Sequence, residues 1–333
     1  MSTLVSLRSA TLLVSCLALA PALSACAATD DRQQSADLVD EDAATIGSFV
    51  SDPDGFDTRS YWIDTGAEVV VFDAQFTARH ADELIQSIRA ATSSPITFVV
   101  VTHPNPDKFN GASRFRALGA KVVASERTAA AIPGVHAYKR HFFVDVAKSI
   151  SAADYPAEPT IDLTFSGELK LPTRAGEIRL REFAHAGVSS TQTVGWVPAA
   201  RALFVGDLVH HGVHAWLEGG IVDGAPRPDL GEWKRALDEL RAFEDATVYG
   251  GRGDAAPVAT AVSEQQAYLA KAESIVRGYV DELGERRAEL TRPEAATHHA
   301  AIAKRFEAAW PSRGLPYLVQ YGVYGLVGAI ASE

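Results

Sequence analysis

Short apolar runs that alternate with helical segments constrain the fold of this chain most strongly. Residues 68–72 (EVVVF) and 96–101 (ITFVVV) are predicted strands, and residues 77–91 between them have helical spacing of apolar positions. A helix over 112–118 and a strand over 121–124 continue the alternation. This β-α-β-α-β order predicts an α/β sheet whose strands are largely buried.

The second half of the chain has a different order of predicted strands and helices. Short strands are predicted there at 161–165, 168–171 and 177–183, as a meander, then at 193–197 and 202–205, as a hairpin, and at 247–249. Amphipathic or long helices are predicted at 230–243, 262–286 and 293–310. The two halves together predict one domain of two sandwiched sheets with helices outside.

Composition narrows the possible partners and cofactors. The net charge of -11 leaves no basic surface for phosphates, so we expect no nucleic-acid partner. The chain has two cysteines, both within the first 26 residues, which excludes a disulfide framework and a thiolate zinc cluster in the domain. We expect a small-molecule substrate or an anionic ligand instead.

The N-terminal segment predicts export. Residues 1–25 have one positive charge followed by an apolar run, as in a secretory signal peptide, and Leu23-Ser24-Ala25-Cys26 resembles the lipobox of bacterial lipoproteins. That resemblance implies lipidation of Cys26 and a membrane anchor in the cell envelope, facing the periplasm or the exterior. The alternative is a plain signal peptide. We expect an acidic tether at 26–44, a domain at 45–285 and a C-terminal helical extension at 286–333.

Four polar clusters follow predicted strands, and strand ends of this kind meet at one rim of a sheet. They are HPNPDK at 103–108, AHAG at 184–187, GD at 206–207 and GGRG at 250–253. Their order, spacing and glycines resemble the metallo-β-lactamase superfamily. There the first cluster is His-x-His-x-Asp-His, and a lone His, a lone Asp after a Gly and a His in a Gly-rich turn follow. The resemblance implies an αβ/βα four-layer sandwich.

By this resemblance, four residues of the chain correspond to the ligand positions of metal site one. His103 and His185 match its first and third histidine ligands, Asn105 stands where the second histidine belongs, and Asp207 matches the carboxylate that bridges both metals. Two histidines with one carboxylate are a donor set used by catalytic zinc. The expectation is therefore at most one zinc ion, held by His103, Asn105, His185 and Asp207.

Metal site two is expected to be lost. Asp107 is retained, but Lys108 and Arg252 replace two histidines, and neither cation is a practical metal ligand. Both cations are expected to occupy the place of the second metal and to pair with Asp107 and Asp207.

Three functions remain open. The first is a one-metal hydrolase of an ester, lactone, thioester or amide, with Asp107 and Lys108 as catalytic residues. The second is an inactive binding lipoprotein in which Lys108 and Arg252 recognise an anionic ligand. The third is a metal-free enzyme that uses Lys108 as an electrophile. His214 is expected to line the pocket together with Arg252. Tyr317, Tyr321 and Tyr324 are expected to pack the tail against the domain.

Overall fold

Two six-stranded mixed sheets, built from consecutive halves of the chain, form the centre of the structure. The computed structural model describes residues 44–291 and 294–333. The predicted leader, the lipidation site Cys26 and all but the last residue of the predicted tether lie outside the described residues. None of the helices in the described ranges is both long enough and apolar enough to cross a membrane.

The first sheet contains six strands in the order in which the chain forms them. They are β1 (Thr45–Val50), β2 (Arg59–Asp64), β3 (Val69–Phe72), β4 (Ile96–Val100), β5 (Lys121–Ser125) and β6 (Leu163–Phe165). Strands β1, β2 and β3 pair antiparallel. Strands β3 to β6 run parallel to one another, as the β-α-β-α-β order predicts.

The second sheet follows the order β14-β13-β10-β9-β8-β7. Its strands and those of a separate two-stranded ribbon are β7 (Glu168–Lys170), β8 (Arg179–Glu182), β9 (Thr193–Val197), β10 (Ala202–His211), the ribbon strands β11 (Gly220–Val222) and β12 (Ala225–Arg227), β13 (Thr247–Gly253) and β14 (Ala256–Pro257). Strands β9 and β10 form the predicted hairpin.

Helices cover the outer faces of both sheets. They are α1 (Ala78–Ala91), α2 (Pro106–Phe109), α3 (Ala112–Arg116), α4 (Glu126–Arg140), α5 (Leu230–Glu239), α6 (Val258–Leu283), α7 (Ala295–Ala309), α8 (Tyr317–Gly322) and α9 (Tyr324–Ala331). A π-helical segment, His141–Val146, continues α4, and 3-10 turns occupy Pro53–Gly55, Leu240–Phe243 and Gly284–Thr291.

Three hydrophobic clusters define four layers. Between the sheets, side chains such as Val70 and Phe72 of the first sheet meet Phe204 of the second, and the rings of Phe72 and Phe204 stack with centroids 4.4 Å apart. A second cluster joins the first sheet to α1, α3 and α4, and a third joins the second sheet to α5 and α6. The αβ/βα four-layer sandwich with a C-terminal helical extension is confirmed.

One predicted pairing is wrong. The strand expected at 161–165 does not belong to a meander with its two successors, because β6 pairs parallel to β5 in the first sheet, whereas β7 and β8 pair in the second. The chain crosses between the sheets at Gly167, which has a φ of 69°. The local sequence pattern indicates that a segment forms a strand, but it does not determine which strand that segment pairs with.

The C-terminal helices share the core of the second sheet. Phe306 of α7, Val319 of α8 and Leu326 of α9 are buried in the same cluster as Leu269 of α6. The predicted boundary at 285/286 falls in the 3-10 segment after α6 and stays a prediction.

Candidate functional site

The polar cluster after β4 meets the clusters within β10 and β13 at one rim of the sandwich. The strands predicted at 202–205 and 247–249 extend through their clusters, to His211 and Gly253. Strands β10 and β13 are parallel neighbours, with Gly206 opposite Gly250, so Asp207 and Arg252 approach each other across this pair. Helix α2 after β4 brings Asp107 and Lys108 to the same place. We call Asp107, Lys108, Asp207 and Arg252 the ion-pair cluster.

Gly206 allows the close approach of β10 to the β4 end. Its φ is 52°, and a Cβ there would lie 2.2 Å from Oγ1 of Thr102. Glycine adopts this left-handed conformation without the steric penalty that other residues have. The glycine directly before Asp207 is therefore required by both backbone conformation and space.

Lys108 lies between the two carboxylates of the cluster. Its Nζ is 2.9 Å from Oδ2 of Asp107 and 2.8 Å from Oδ1 of Asp207, and its side chain is fully excluded from solvent. Burial alone would lower the pKa of Lys108, but the charges of Asp107 and Asp207 outweigh burial and raise that pKa above its ordinary value. The side chain of Lys108 is therefore a protonated ammonium group at neutral pH.

Arg252 bridges the same two carboxylates from the other side. Its Nη2 lies 2.9 Å from Oδ2 of Asp107, and its Nη1 donates to Oδ2 of Asp207. The guanidinium also donates from Nε to the carbonyl oxygen of Phe56 at 2.8 Å and from Nη2 to Oγ1 of Thr58 at 3.0 Å. Its planar fork of donors suits this bridging role.

The two carboxylates remain ionised although both are buried. Burial would raise the pKa of Asp107 and of Asp207, but the positive charges of Lys108 and Arg252 hold both pKa values below their ordinary range. The ion-pair cluster thus contains two anions and two cations and is neutral as a whole.

His103 lies beside the ion-pair cluster with one free ring nitrogen. Its Nδ1 is 3.0 Å from Oγ1 of Thr102, and its Nε2 is buried, without a hydrogen-bond partner, 3.8 Å from Oδ2 of Asp207. Burial lowers the pKa of His103 to about 4, against the opposing charge of Asp207. The imidazole is therefore neutral at pH 7.

His185 and Asn105 do not complete a metal site with His103. The Nδ1 and the backbone N of His185 lie 2.9 Å and 3.0 Å from Oε1 of Glu239, which holds this residue at the start of the loop after β8. Asn105 precedes α2 and lines a small pocket over Asp107. Within the described ranges, no group of three or more His, Cys, Asp or Glu side chains is arranged to hold a metal ion.

The residues present do not fit the predicted zinc ion. Both oxygens of Asp207 accept hydrogen bonds from buried cations, Lys108 at Oδ1 and Arg252 at Oδ2. A metal at this carboxylate would meet two fixed positive charges. The expected set of His103, Asn105, His185 and Asp207 is therefore not assembled, because its bridging carboxylate is already neutralised.

His214 is a core residue, which corrects the prediction that it lines the pocket. Its side chain is fully buried, its Nδ1 lies 3.2 Å from the hydroxyl of Tyr268, and its ring packs against Phe306 and Trp310. Burial lowers the pKa of His214 to about 4. It serves the packing of the C-terminal helices on the second sheet.

A cleft of about 860 Å³ opens above the ion-pair cluster and narrows to a pocket of about 30 Å³ at its floor. Both spaces share the side chains of Phe56, Phe76, Phe143, Lys139 and Trp216, and we call the larger space the aromatic cleft. Asp107, Asp207 and Arg252 line only the narrow floor.

The residues of the aromatic cleft were not predicted from the sequence as parts of a site. Tyr317, Tyr321 and Tyr324, which were expected only to pack the tail, form one of its walls. Their spacing of four and three residues is a signal that could have placed them on one helical face. Their position above the ion-pair cluster was not visible in the sequence.

Comparison with known proteins agrees with this fold. The family model of the metallo-beta-lactamase superfamily matches residues 53–252, more than half of the chain. The chain belongs to the metallo-β-lactamase superfamily. Helices α6 to α9, including the three cleft tyrosines, follow the matched region.

Solved structures show the same superfamily fold. A metallo-β-lactamase from Pontibacter korlensis aligns with a TM-score of 0.53 at 20% identity, over 71% of this chain and 99% of its own. The FIM-1 metallo-β-lactamase from Pseudomonas aeruginosa, in a mono-zinc form, aligns with a TM-score of 0.52 at 16% identity, over 72% of this chain and 96% of its own. None of the curated proteins matches the chain. At these identities the similarity establishes fold alone.

Proposed function

We propose that this superfamily member works without a metal ion, as a binding protein for small molecules at the rim of the sandwich. The observation that carries the proposal is the position of Lys108 Nζ, 2.9 Å and 2.8 Å from the carboxylates of Asp107 and Asp207. An ammonium group there supplies the positive charge that the carboxylates need. Arg252 completes the neutralisation from the opposite side.

The free-energy cost of breaking the buried ion pairs supports the proposal that Lys108 and Arg252 stay paired with Asp107 and Asp207. Lys108 and Arg252 are 0% and 3% exposed, so a metal that displaced them from Asp207 would leave buried cations without partners. Breaking a buried pair by removal of one partner costs about 3–5 kcal/mol. A single zinc ion bound by His103 and Asp207 alone, with two ligands, would not offset that cost.

The same contacts argue against acid–base or electrophilic catalysis by the cluster. Oδ2 of Asp107 accepts hydrogen bonds from Thr58 and Arg252 and lies against Lys108, and its pKa is lowered, so it is a weak base at neutral pH. Lys108 is fully buried beneath the cleft floor and directs its charge at the two carboxylates. The metal-free enzyme that uses Lys108 as an electrophile is therefore disfavoured.

The one-metal hydrolase of an ester, lactone, thioester or amide remains the second candidate. The observation in its favour is the free, buried Nε2 of His103, 3.8 Å from Asp207. It would require His185 to leave Glu239 and Asp207 to leave at least one of its cations. The mono-zinc form of FIM-1 shows that one relative of this fold is found with one zinc ion.

The metal content of the purified chain distinguishes the metal-free binding protein from the one-metal hydrolase. The chain would be purified without a histidine tag and without chelator, incubated with zinc, desalted, and analysed by elemental mass spectrometry and thermal unfolding. We expect far less than one metal per chain and the same melting temperature with and without chelator. One tightly held zinc per chain, with a melting temperature that falls on chelation, would refute the metal-free proposal and favour the hydrolase.

A matched variant makes a negative result informative. Asn105→His, Lys108→His and Arg252→His together restore the superfamily pattern at the three altered positions. If this triple variant folds and takes up zinc under the same conditions, the assay can detect metal in this scaffold. The wild-type chain must then remain metal-free for the proposal to stand.

We further propose that the protein is an exported bacterial lipoprotein, anchored through Cys26 on the outer side of a membrane of the cell envelope. The proposal is supported by the apolar leader and by the lipobox-like Leu23-Ser24-Ala25-Cys26. Metabolic labelling with a fatty-acid analogue is expected to mark the wild-type chain and not the Cys26→Ser variant. Equal labelling of both would refute this assignment.

A further inference from the structure

The floor of the aromatic cleft is a continuous surface of rings. Phe56 lies at its centre, with ring centroids 5.1 Å from Phe76, 5.7 Å from Phe143 and 5.9 Å from Trp216. Phe76 and Phe143 are themselves 5.0 Å apart. Phe142 and the π-helical segment His141–Val146 extend this surface along one side. Phe76 and Phe143 are 1% and 7% exposed, so the partly buried rings of Phe56 and Trp216 form most of the aromatic surface that faces the cleft.

The backbone that carries Phe56 is held in an unfavourable conformation. Phe56 and Asp57 have φ angles of 64° and 47°, in the left-handed region that non-glycine residues rarely adopt. Strain of this kind persists only where surrounding contacts enforce it, and it is frequent at ligand sites. Here Arg252 donates to the carbonyl of Phe56 at 2.8 Å, and the hydroxyl of Tyr317 donates to Oδ2 of Asp57 at 2.6 Å.

Arg252 therefore connects the ion-pair cluster to the cleft floor. The same guanidinium that bridges Asp107 and Asp207 also fixes the backbone of Phe56. The residue that replaces a metal ligand in the superfamily pattern thus positions the central ring of the cleft. Tyr317, from the C-terminal extension, holds the neighbouring residue from the opposite side.

The ion pairs along the cleft disfavour an anionic ligand, which argues against the expectation that Lys108 and Arg252 bind one. Among the described residues that line the cleft, both full cations are already paired: Arg79 with Asp52 and Glu83, each at 2.9 Å, and Lys139 with Glu218. Lys108, which lies below the floor, and Arg252, which lines it, are neutralised by the carboxylates of the ion-pair cluster.

Two carboxylates of the cleft lack such a cation. Asp54 is exposed and Asp154 accepts a hydrogen bond from Ser151 at 2.6 Å, and neither forms an ion pair with another described residue. The chain as a whole has a net charge of -11, so the field around the cleft favours cations. Aromatic faces attract cations as well, because the ring quadrupole is negative above the plane.

We propose that the aromatic cleft binds an organic cation, an ammonium group that carries apolar or aromatic substituents. The inference rests on the proposed function, since it takes the cleft as the binding site of a metal-free protein. The ammonium lies against the ring of Phe56, because Nζ of Lys139 already lies 5.5 Å from the ring centroid of Trp216. The carboxylates of Asp54 and Asp154 attract it at the rim. The exposed Tyr321, on α8, covers the substituents.

The probe is benzyltrimethylammonium, compared with benzyl alcohol as a neutral analogue and phenylacetate as an anion. Binding would be followed by calorimetry and by the tryptophan fluorescence of the full chain, which contains Trp216 and four other tryptophans. We expect saturable binding of the ammonium tighter than millimolar, at least ten-fold tighter than the alcohol, with no measurable binding of phenylacetate. Equal affinity for all three probes, a preference for phenylacetate, or no saturable binding of the ammonium would overturn the proposal.

Surface variants keep the test independent of folding. Tyr321→Ala and the double change Asp54→Asn with Asp154→Asn are each expected to weaken ammonium binding several-fold. Leu118→Ala, at an exposed apolar site outside the cleft, and Glu307→Gln on α7 are the matched controls and are expected to bind as wild type. If the cleft variants bind as tightly as the controls, the cation does not occupy this cleft.

The two proposals fail in distinguishable ways. A metal ion found in the purified chain refutes the metal-free function whatever the probes do. A metal-free chain that ignores the ammonium, or binds the anion, refutes only the ligand class. The triple histidine variant has lost Arg252 and is not used as a binding control.

Discussion

Nζ of Lys108 lies 2.8 Å from Oδ1 of Asp207, and both side chains are closed to solvent. In the superfamily pattern the residue at Asp207 bridges two metal ions, and the residue at Lys108 is a histidine ligand. Here an ammonium and a guanidinium satisfy the same carboxylate. The site thus retains its charge balance while the ligand chemistry changes, and the scaffold around it is preserved.

Loss of the ammonium should destabilise the fold. Lys108→Met leaves Asp107 and Asp207 with one cation between them in a buried place, and we expect unfolding to become easier by about 3–5 kcal/mol. Urea unfolding followed by circular dichroism measures the change. The control is Lys170→Met, at an exposed lysine that pairs with Glu177 on the surface, which should leave stability nearly unchanged. Equal effects at both positions would contradict the structural role of Lys108.

A positive charge alone, without the guanidinium group, should not be enough to replace Arg252. Arg252→Lys keeps one positive charge but cannot bridge Asp107 and Asp207 while also donating to the carbonyl of Phe56. We expect a loss of about 1–3 kcal/mol in stability, together with weaker binding of the ammonium probe. Arg235→Lys, at an exposed site on α5, is the control. A variant with wild-type stability and wild-type binding would show that Phe56 is positioned by other contacts.

The stability of the protein should depend on Asp73 near neutral pH. Burial raises the pKa of Asp73 to about 7, although Lys108 and hydrogen bonds from Thr102 oppose the rise. Its folded pKa lies above the unfolded value of about 3.9, so its contribution to stability is full below about pH 4 and is lost as the pH rises through 7.

Asp73→Asn removes that titration. An amide at this position can still accept from the backbone N of Thr102, which lies 3.0 Å from Oδ1 of Asp73. The stability of the variant relative to wild type is expected to rise between about pH 4 and pH 7, by a few kcal/mol at most, and to stay constant above that range. Unfolding free energies of both chains across this range give the difference. A constant difference at every pH would show that Asp73 does not titrate there.

Gly251 should not tolerate a side chain. A Cβ at this position would lie 2.1 Å from Oδ1 of Asp207 and 3.0 Å from Nζ of Lys108, so Gly251→Ala must displace the carboxylate from its cation. We expect a clear fall in melting temperature. Gly278→Ala, in the middle of α6 with open space around it, should instead stabilise the chain by about 0.5–1 kcal/mol. Similar effects at the two glycines would argue against the packing described here.

Much of the site could be predicted from residue type and order. The runs before His103 and Asp207 are apolar, so they indicated buried strands that bring these residues to one rim. Asp207 lies within β10, which continues to His211, whereas His103 follows β4. Lys108 and Arg252 were identified as cations in place of ligands and were expected to pair with Asp107 and Asp207, which the structure bears out. These predictions hold because they depend on local periodicity and on the chemistry of single side chains.

The sequence by itself determined the strands, the altered ligand positions and the opposite charges that had to meet. Only the tertiary structure decided that His185 is held by Glu239, that His214 packs in the core and that tyrosines after residue 315 form a wall of the aromatic cleft. The physical reason is distance along the chain. Periodicity is set by residues a few positions apart, whereas Lys108 meets Asp207 across 99 residues and Arg252 meets Asp107 across 145. Whether such groups are paired depends on the packing of both sheets, which no local pattern contains.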